Sequence, residues 1–446
     1  MLISEFYDWL ILEKNMSVRS AKDVISRYKR VERIIGTHHK DIISVYLLTE
    51  SAKYAELSMF IKSQLKRAAT LYSEFLEKSQ SEESEKATMK RYNVIDLFCG
   101  VGGLSYGFSN NENFNIIAAN EIEKDIATAY SLNHKNVKMF NCNITNFSEN
   151  QIAEITENNK IDIIVGGPPC QSYSTLGKRK LDERANLFLE YKRILSIVKP
   201  KAFVFENVVG MLSMDSGKLF KKICSEFENL GYIIKHQILN AVNFGTPQYR
   251  ERVILVGVLG NNNYTYPSET HGDGKLPFVT LSDAFADLPS LISGEQSSQY
   301  LSSSNNEFLN FVRKGNILTE HKAPKNGEHL IKIMQTLKDG QCKGDLPEDI
   351  RPKSGYGNTY AKLWWDRPST TITRNFACPS SSRCVHPRDS RALTIREGAR
   401  LQSFPDDYKF YGSDGMKRLE IGNAVPPLLS IQIANQMLKM LKEEDT

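Results

Sequence analysis

The segment KIDIIVGGPPCQSYS, residues 160–174, contains an apolar run that ends in a turn rich in glycine and proline. A short apolar run bounded by such a turn is typical of a buried strand. The turn after a strand of this kind is where an open α/β sheet binds its ligands. This turn carries one cysteine, Cys170. Its thiol can act as a nucleophile if its pKa is lowered, and the alternative is a buried structural cysteine.

The sequence on either side of this segment repeats the same alternation. The apolar runs NVIDLF, NIIAAN, KIDIIV and KAFVFEN alternate with helical stretches such as ANLFLEYKRILSIVK. This order predicts an α/β fold with a mainly parallel, doubly wound sheet. The loops FCGVGG, PPCQ and ENV each follow a predicted strand. We therefore expect all three along one edge of the sheet.

Changes in the pattern of apolar and polar residues along the chain predict its domain boundaries. We predict an all-helical domain at 1–78, a polar linker at 79–91, a sheet domain at 92–259, a smaller domain at 260–390 and a return to the sheet domain at 391–446. In the first domain, VISRYKRVERIIG places Val24, Tyr28, Val31 and Ile35 on one helical stripe, and Gly36 is the predicted end. A second amphipathic helix is predicted at 60–78.

Composition excludes several classes of protein. Hydrophobic content of 41% and charged content of 24% are those of a globular protein, and no apolar run reaches the length of a membrane span. The acidic N-terminal stretch has no secretory pattern. The seven cysteines contain no CxxC pair, which favours reduced thiols in a cytosol. Cys378, Cys384 and His386 match no common zinc spacing, so we expect no metal.

Basic residues are concentrated in two stretches, although the formal net charge is only +5. Residues 351–400 hold ten Lys and Arg against three Asp and Glu, and residues 14–40 hold eight against two. Local basic surfaces favour a polyanionic partner. A solvated face is the alternative for either stretch.

An ordered set of motifs surrounds PPCQ. They are DLFCGVGGLSYGF (96–108), ANEIEKD with Glu121, FENVVG with Glu206, QYRERVILVG (248–257), RALTIREGARLQSFPDDY (391–408) and GNAVPP (422–427). This set resembles the cytosine-C5 DNA methyltransferases of the type II modification kind, over roughly residues 92–440. The resemblance implies an S-adenosylmethionine-dependent methyltransferase fold, with target recognition in the smaller domain. It also implies a cytoplasmic, nucleoid-associated monomer of bacterial or phage type that acts on double-stranded DNA, with a cognate restriction endonuclease as a candidate partner.

The glycine-rich turn is the predicted cofactor loop. Gly100, Gly102 and Gly103 allow a close backbone approach, and no phosphate-binding lysine follows them, which argues against a nucleoside triphosphate. Glu121 ends the second strand, where a carboxylate can accept both ribose hydroxyls; a surface acid is the alternative.

The resemblance implies S-adenosyl-L-methionine as the ligand. The further residues that it assigns to this ligand are Phe98, Asn143, Ile144, Pro168, Leu187, Asn423 and Val425. Phe98 would stack near the adenine, and Leu187 would pack on it or belong to the core. Asn143 stands where the family usually has an Asp that accepts from the adenine amino group. Asn423 and Val425 would close over the methionine end, and a simple turn is the alternative.

The same resemblance assigns the catalytic residues. Cys170 would attack C6 of cytosine, and Glu206 would protonate or hydrogen-bond N3. Arg252 would hold the base O2, with Arg250 supporting the loop. Gln248 is predicted to pack or hydrogen-bond within that loop. The target base would have to flip out of the duplex, and the basic stretch 351–400 would bind the surrounding phosphates.

Other readings of the chain remain open at this point. One is a transfer RNA cytosine-C5 methyltransferase, and another is a non-catalytic DNA-binding regulator. The N-terminal FYDWLILEKNMSVRSAKDVISRYKRV, with the later QLKRAATLYSEFL, resembles the DNA-clamping core-binding domain of tyrosine recombinases. A plain helical packing domain is the alternative for that region.

Overall fold

The computed structural model describes residues 2–36, 44–88, 90–169, 187–301, 306–353 and 355–445. Cys170 therefore lies outside the described residues. The chain divides into two compact units, Met1–Lys90 and Arg91–Thr446. No helix among the described residues is long and apolar enough to cross a membrane.

The first unit is helical in its described part. Its helices are α1 (Leu2–Leu12), α2 (Val18–Ile35), α3 (Ser44–Thr49), α4 (Ala52–Ala55) and α5 (Met59–Thr88). The predicted stripe of α2 faces the core, with Val24, Tyr28 and Val31 buried. The ring of Tyr28 stacks on that of Tyr72 in α5, with centroids 3.8 Å apart. An aromatic cluster between these two helices thus holds the unit together.

The two long helices end differently from each other. α2 ends at Gly36, which has the left-handed φ of 70° that glycine adopts without strain, as predicted. α5 does not end at residue 78 but continues to Thr88, through most of the predicted linker. The predicted end of this helix is wrong because polarity alone does not stop a helix. The segment contains no Gly or Pro, and its three Glu and two Lys favour helix.

One sheet organises the second unit. Its strands are β1 (Tyr92–Leu97), β2 (Phe114–Asn120), β3 (Lys138–Phe140), β4 (Ile163–Gly166), β5 (Ala202–Asn207), β6 (Tyr232–Asn240) and β7 (Glu251–Leu259). They lie in the order β3-β2-β1-β4-β5-β7-β6. β7 is antiparallel to both of its neighbours, and the other pairs are parallel. This confirms the predicted mainly parallel sheet.

Helices cover both faces of the sheet. The helices of this unit are α6 (Gly103–Ser109), α7 (Lys124–Asn133), α8 (Glu149–Thr156), α9 (Leu187–Val198), α10 (Lys218–Glu228), α11 (Leu281–Ala284), α12 (Glu307–Val312), α13 (Glu328–Thr336), α14 (Ile395–Leu401), α15 (Asp414–Asn423) and α16 (Pro427–Glu444). Short 3-10 turns lie at Ile144–Asn146, Val209–Gly217, Ala241–Phe244 and Lys343–Asp345. On one face, Phe108 of α6 and Ile433 of α16 pack in the same cluster as Val94 of β1. On the other face, Tyr191 of α9 and Phe227 of α10 pack in a second cluster with Ile95 of β1.

The contact between α6 and α16 is unusually close. The amide of Gly107 donates to the Ser430 Oγ at 2.8 Å, and a Cβ on Gly107 would lie 2.2 Å from the Ser430 carbonyl. The opposing atoms belong to the backbone of α16, so they cannot move away like a flexible side chain. Gly107 therefore allows the C-terminal helix to lie against the start of the sheet domain.

We expect Gly107→Ala to lower the free energy of unfolding by about 2 kcal/mol. Alanine favours a helix over glycine by about 1 kcal/mol, but forcing α6 and α16 apart costs more. Denaturant unfolding measures the change. Gly210→Ala is the matched control, because a Cβ there meets no atom within 4 Å. Equal destabilisation by both substitutions would show that the close contact between α6 and α16 is not the cause of the effect.

Candidate active site

The carboxyl ends of four neighbouring strands meet at one edge of the sheet. Leu97 at the end of β1 is paired with Asn120 of β2 and with Gly166 of β4, and Gly166 is paired with Phe205 of β5. The loops that begin after these strands therefore lie side by side, as the sequence predicted for FCGVGG, PPCQ and ENV. Cys170, in the PPCQ loop, lies outside the described residues.

The glycine-rich loop after β1 has an unusual backbone. Phe98, Gly100 and Gly102 have φ values of 55°, 55° and 95°, in the left-handed region. The amide of Gly100 donates to the Glu121 Oε2 at 3.0 Å. A Cβ on Gly100 would meet no atom within 4 Å. The loop therefore leaves open space beside the Glu121 carboxylate, where a ligand can approach the backbone.

Glu121 is held in a buried position. Only 9% of it is exposed, and its Oε1 accepts the amide of Glu123 at 2.9 Å. Burial raises the pKa of this carboxyl, and its hydrogen bonds with backbone amides oppose that shift. Each carboxylate oxygen has a further lone pair. Glu121 can therefore accept additional hydrogen bonds from hydroxyl groups of a ligand.

The GNAVPP segment reaches the glycine-rich loop across the length of the chain. A Cβ on Gly103 would lie 2.2 Å from the Val425 carbonyl oxygen, so only glycine fits this approach. Val425 is buried with 6% exposure, whereas Asn423, the last residue of α15, is exposed. The structure thus places Val425 directly against the predicted cofactor loop.

The other predicted cofactor residues occupy different environments. Asn143 is exposed and its Oδ1 accepts the amide of Thr145 at 3.1 Å, so that it caps the short 3-10 turn. Ile144 is buried. Pro168 is also buried, and its carbonyl accepts from the Asn207 Nδ2 at 3.0 Å. Leu187 begins α9 and is half-buried against the core.

Glu206 and Arg252 form an ion pair at the same edge. The Arg252 Nε lies 2.7 Å from the Glu206 Oε1, and the two side chains are 11% and 12% exposed. Burial raises the pKa of Glu206, and the two arginines Arg252 and Arg250 oppose that rise. A Cβ on Gly167 would lie 2.6 Å from the Glu206 Oε2. The residues just before Cys170 therefore run alongside this carboxyl group.

Arg250 and Gln248 hold the surrounding loops together. Arg250 is 1% exposed, and its Nη1 and Nη2 donate to the carbonyls of Ile372 and Gly422 at 3.1 and 2.8 Å. Gln248 is fully buried, and its Nε2 donates to the Leu401 carbonyl at 2.9 Å while its Oε1 accepts from the Ile372 amide. We predicted that Gln248 packs or hydrogen-bonds within its own loop; its amide does donate to the Thr246 carbonyl, but its side chain bonds two other segments.

Residues 92–439 match the family described as C-5 cytosine-specific DNA methylase. The chain belongs to this family. The type II methyltransferase M1.HphI of Haemophilus parahaemolyticus is 34% identical over 354 residues, covering 78% of this chain and 87% of that protein. M.Eco47II of Escherichia coli is 30% identical over 455 residues, covering 97% and 98%.

Solved structures show the same fold. A candidate DNA modification methyltransferase encoded within an Escherichia coli prophage superposes with a TM-score of 0.65 at 24% identity, over 79% of this chain and 99% of that one. The methyltransferase EhMeth of Entamoeba histolytica gives 0.52 at 20% identity, with the same coverage. The predicted methyltransferase fold is confirmed. This methylase is a DNA (cytosine-5-)-methyltransferase that uses S-adenosyl-L-methionine.

The described residues of the methylase fit this cofactor. Open space over Gly100 lies beside a buried carboxylate, Glu121, that has lone pairs left to accept hydroxyl groups. Val425 closes one side of the same loop through its contact with Gly103. A nucleoside with a ribose and no phosphate suits such a site, because the loop offers no lysine for phosphate.

We expect Asn143→Asp to tighten cofactor binding by about fivefold, since a charged acceptor is worth ~1 kcal/mol more than a neutral one. The substitution keeps the cap on the Thr145 amide, because Asp and Asn are equally good at that position. Isothermal titration calorimetry measures the affinity.

Asn146→Asp is the matched control for this substitution. Asn146 is exposed at the other end of the same turn, so its replacement adds the same charge without reaching the predicted ligand position. A markedly weaker affinity for Asn143→Asp, with the control unchanged, would mean that position 143 does not hold the adenine amino group.

The structure adds one residue that the sequence analysis of this methylase missed. Asp96 in β1 is 1% exposed and accepts from the Ser105 Oγ, which also bonds the Tyr130 hydroxyl at 2.8 Å. Burial raises the pKa of Asp96 to about 8. This network lies directly beneath the glycine-rich loop. An acid inside the apolar run NVIDLF was the signal that could have revealed it.

The basic stretch 351–400 is only partly available to DNA. Arg391, Arg396 and Arg400 are at most 1% exposed. Arg391 lies 2.7 Å from Glu397, and Arg400 lies 2.6 Å from Asp406. The prediction that the whole stretch binds phosphates is therefore wrong for these three arginines, whose charges are neutralised inside the protein.

One acidic cluster has metal-like spacing but already contains a cation. Single ligand atoms of His386, Asp389 and Glu397 lie within 4.8 Å of one another. The Arg391 guanidinium donates to both carboxylates at 2.7 Å. Its charge occupies the position that a metal ion would need.

Proposed function

We propose that this methylase flips its target cytosine out of the duplex and attacks C6 with Cys170, forming a covalent intermediate. The observation that supports this proposal is the Glu206–Arg252 pair at the carboxyl end of β5. The described residues Gly167, Pro168 and Pro169, which lead directly to Cys170, begin beside that pair. An acid and a cation thus lie at the sheet edge where the segment leading to the proposed nucleophile begins.

Glu206 is the proposed acid at N3. Attack at C6 moves electron density towards N3, so a proton or a strong hydrogen bond there stabilises the adduct. Burial raises the pKa of Glu206, which favours the protonated form that this role requires. When the base enters, the carboxyl group can exchange part of its contact with Arg252 for one with N3.

Arg252 is the proposed partner of the base O2. Its Nε binds Glu206 and its Nη1 donates to the Glu251 carbonyl at 2.8 Å. Among the described residues, its Nη2 has no hydrogen-bond partner. A guanidinium fixed in this way can direct its remaining donor at a carbonyl oxygen that gains charge during the attack. Arg250 supports this position through its two backbone contacts and does not face the base in our proposal.

The cofactor supplies the methyl group that C5 receives. We propose that Glu121 accepts the ribose hydroxyls, that Phe98 and Leu187 pack near the adenine, and that Asn143 accepts from its amino group. Gly100, Gly102 and Gly103 with Pro168, Ile144, Asn423 and Val425 would complete the site. Glu121 is the best supported of these, because its carboxylate borders the open space over Gly100.

Base flipping costs a few kcal/mol of unstacking, which contacts to the flanking phosphates help to offset. Six cations of the basic stretch remain exposed for this role, namely Arg351, Lys353, Arg367, Arg374, Arg383 and Arg388. Side chains that read the bases should come from 260–384.

We further propose that the protein is the modification component of a restriction-modification system and acts as a monomer on nucleoid DNA in the cytoplasm. The support is the similarity to proteins named type II methyltransferases.

Bisulfite sequencing of DNA from cells that express the protein tests its activity and site. We expect 5-methylcytosine in one short sequence. Scattered methylation would contradict a modification role. Methylation of transfer RNA and not of DNA would show that transfer RNA is the substrate.

A further inference from the structure

The exposed side of α2 is rich in cations. The helix buries Ala21, Val24, Tyr28 and Val31 on one side. At about 100° per residue, the opposite arc holds seven exposed residues, Arg19, Lys22, Asp23, Ser26, Lys29, Arg30 and Arg33. Five of the seven are basic, and Asp23 at the edge of the arc is acidic. We call these five cations the basic face of α2.

Ion pairs do not neutralise this face. Among the described residues, none of its five cations has a carboxylate within ion-pair distance. Other lysines of the same unit do pair, as Lys14 does with Glu74 and Lys78 with Glu13, both at 2.8 Å. Like charges three and four residues apart destabilise a helix by about 0.2–0.5 kcal/mol per pair. The basic face therefore does not contribute to the stability of α2, and its charges are available to a partner outside the unit.

We propose that the basic face of α2 binds the phosphate backbone of duplex DNA independently of sequence. Its first and last cations, Arg19 and Arg33, are about 21 Å apart along the helix. One DNA strand presents a phosphate roughly every 3.4 Å of helix axis. Several phosphates thus lie within reach of the five cations.

The composition of the face indicates why the contact is independent of sequence. It contains no Asn or Gln to pair with an adenine edge and no aromatic side chain to stack on a base. Lysine and arginine contacts to phosphate fix position without reading bases. The inference uses the established DNA substrate and does not depend on the proposed chemistry at Cys170.

The test uses the full chain with Lys22→Gln, Lys29→Gln and Arg30→Gln combined. Fluorescence anisotropy with a labelled duplex of arbitrary sequence measures affinity from 50 to 200 mM salt. Three lost phosphate contacts should reduce the slope of log affinity against log salt by about 2.7. Between those salt concentrations the wild type should then lose about 40-fold more affinity than the variant.

The matched control is the combination of Lys53→Gln, Lys66→Gln and Arg67→Gln. These exposed cations of the same unit lie outside α2, and their loss changes the net charge equally. We expect the slope of log affinity against log salt for this control to differ from the wild-type slope by less than about 1. Equal slope changes in both variants would overturn the proposal, because net charge alone would then explain the effect.

Two further outcomes would also overturn it. An unchanged slope in the α2 variant would remove DNA as the partner, and loss of binding to phosphatidylserine vesicles in the same variant would assign the face to a membrane surface. Circular dichroism checks that the variant is folded, which we expect because the replaced side chains are exposed. Failure of the covalent mechanism would appear in turnover and trapping assays and would leave these slopes unaffected.

Discussion

Cys170→Ser should lower methyl transfer by on the order of 10⁴-fold or more, while DNA affinity stays within about twofold of the wild type. A serine hydroxyl is a far weaker nucleophile than a thiolate, and little adduct at C6 would form to make C5 reactive. Transfer of labelled methyl groups to duplex DNA measures the rate, and anisotropy measures the affinity.

Cys224→Ser is the control for this substitution. Cys224 is half-buried in α10 and outside the PPCQ loop, and burial raises the pKa of its thiol to about 11. We expect nearly normal turnover. On duplexes with 5-fluorocytosine at the target, the wild type and this control should form a covalent complex and Cys170→Ser should not. Substantial turnover by the Cys170 variant would exclude the covalent mechanism.

Glu206→Gln should lower kcat by about 10²–10⁴-fold with little change in cofactor affinity. Glutamine keeps the size of the side chain and can hydrogen-bond N3, but it cannot deliver a proton. Burial raises the pKa of Glu206, so the acid form persists to higher pH and wild-type kcat should fall as pH rises through that pKa. The variant should lack this decline.

Glu251→Gln provides the matched comparison. It is the neighbouring carboxylate at the start of β7, but its side chain is exposed. Its replacement should leave both kcat and the pH profile nearly unchanged. If Glu206→Gln instead kept normal turnover and lost cofactor binding, Glu206 would have to be reassigned to the cofactor pocket.

Local patterns of sequence predicted the features that depend on short-range chemistry. The alternation of apolar runs and helices predicted the mainly parallel sheet, and loops following those strands had to share an edge because parallel strands end on the same side. The buried stripe of α2 and the end of this helix at Gly36 also depend on local sequence. The stripe follows from helical spacing, and the end follows from the left-handed φ that glycine permits.

Features that depend on residues distant in the chain were not predictable in this way. The placement of β7 between β5 and β6 requires pairing between strands whose partner choice no local pattern specifies. The partners of Gln248 come from Leu401 and Ile372, more than a hundred residues away. The polar end of α5 misled the analysis because charge shows solvent exposure and does not show where a helix stops.

The basic stretch 351–400 shows most clearly what each level decided. The sequence by itself determined that the region is rich in cations and that a cytosine-C5 methylase motif runs through it. Only the tertiary structure decided that Arg391 and Arg400 face Glu397 and Asp406 in the interior while Arg374 and Arg388 face solvent. The physical reason is that a buried charge requires a partner of opposite sign, and folding alone determines which partners meet.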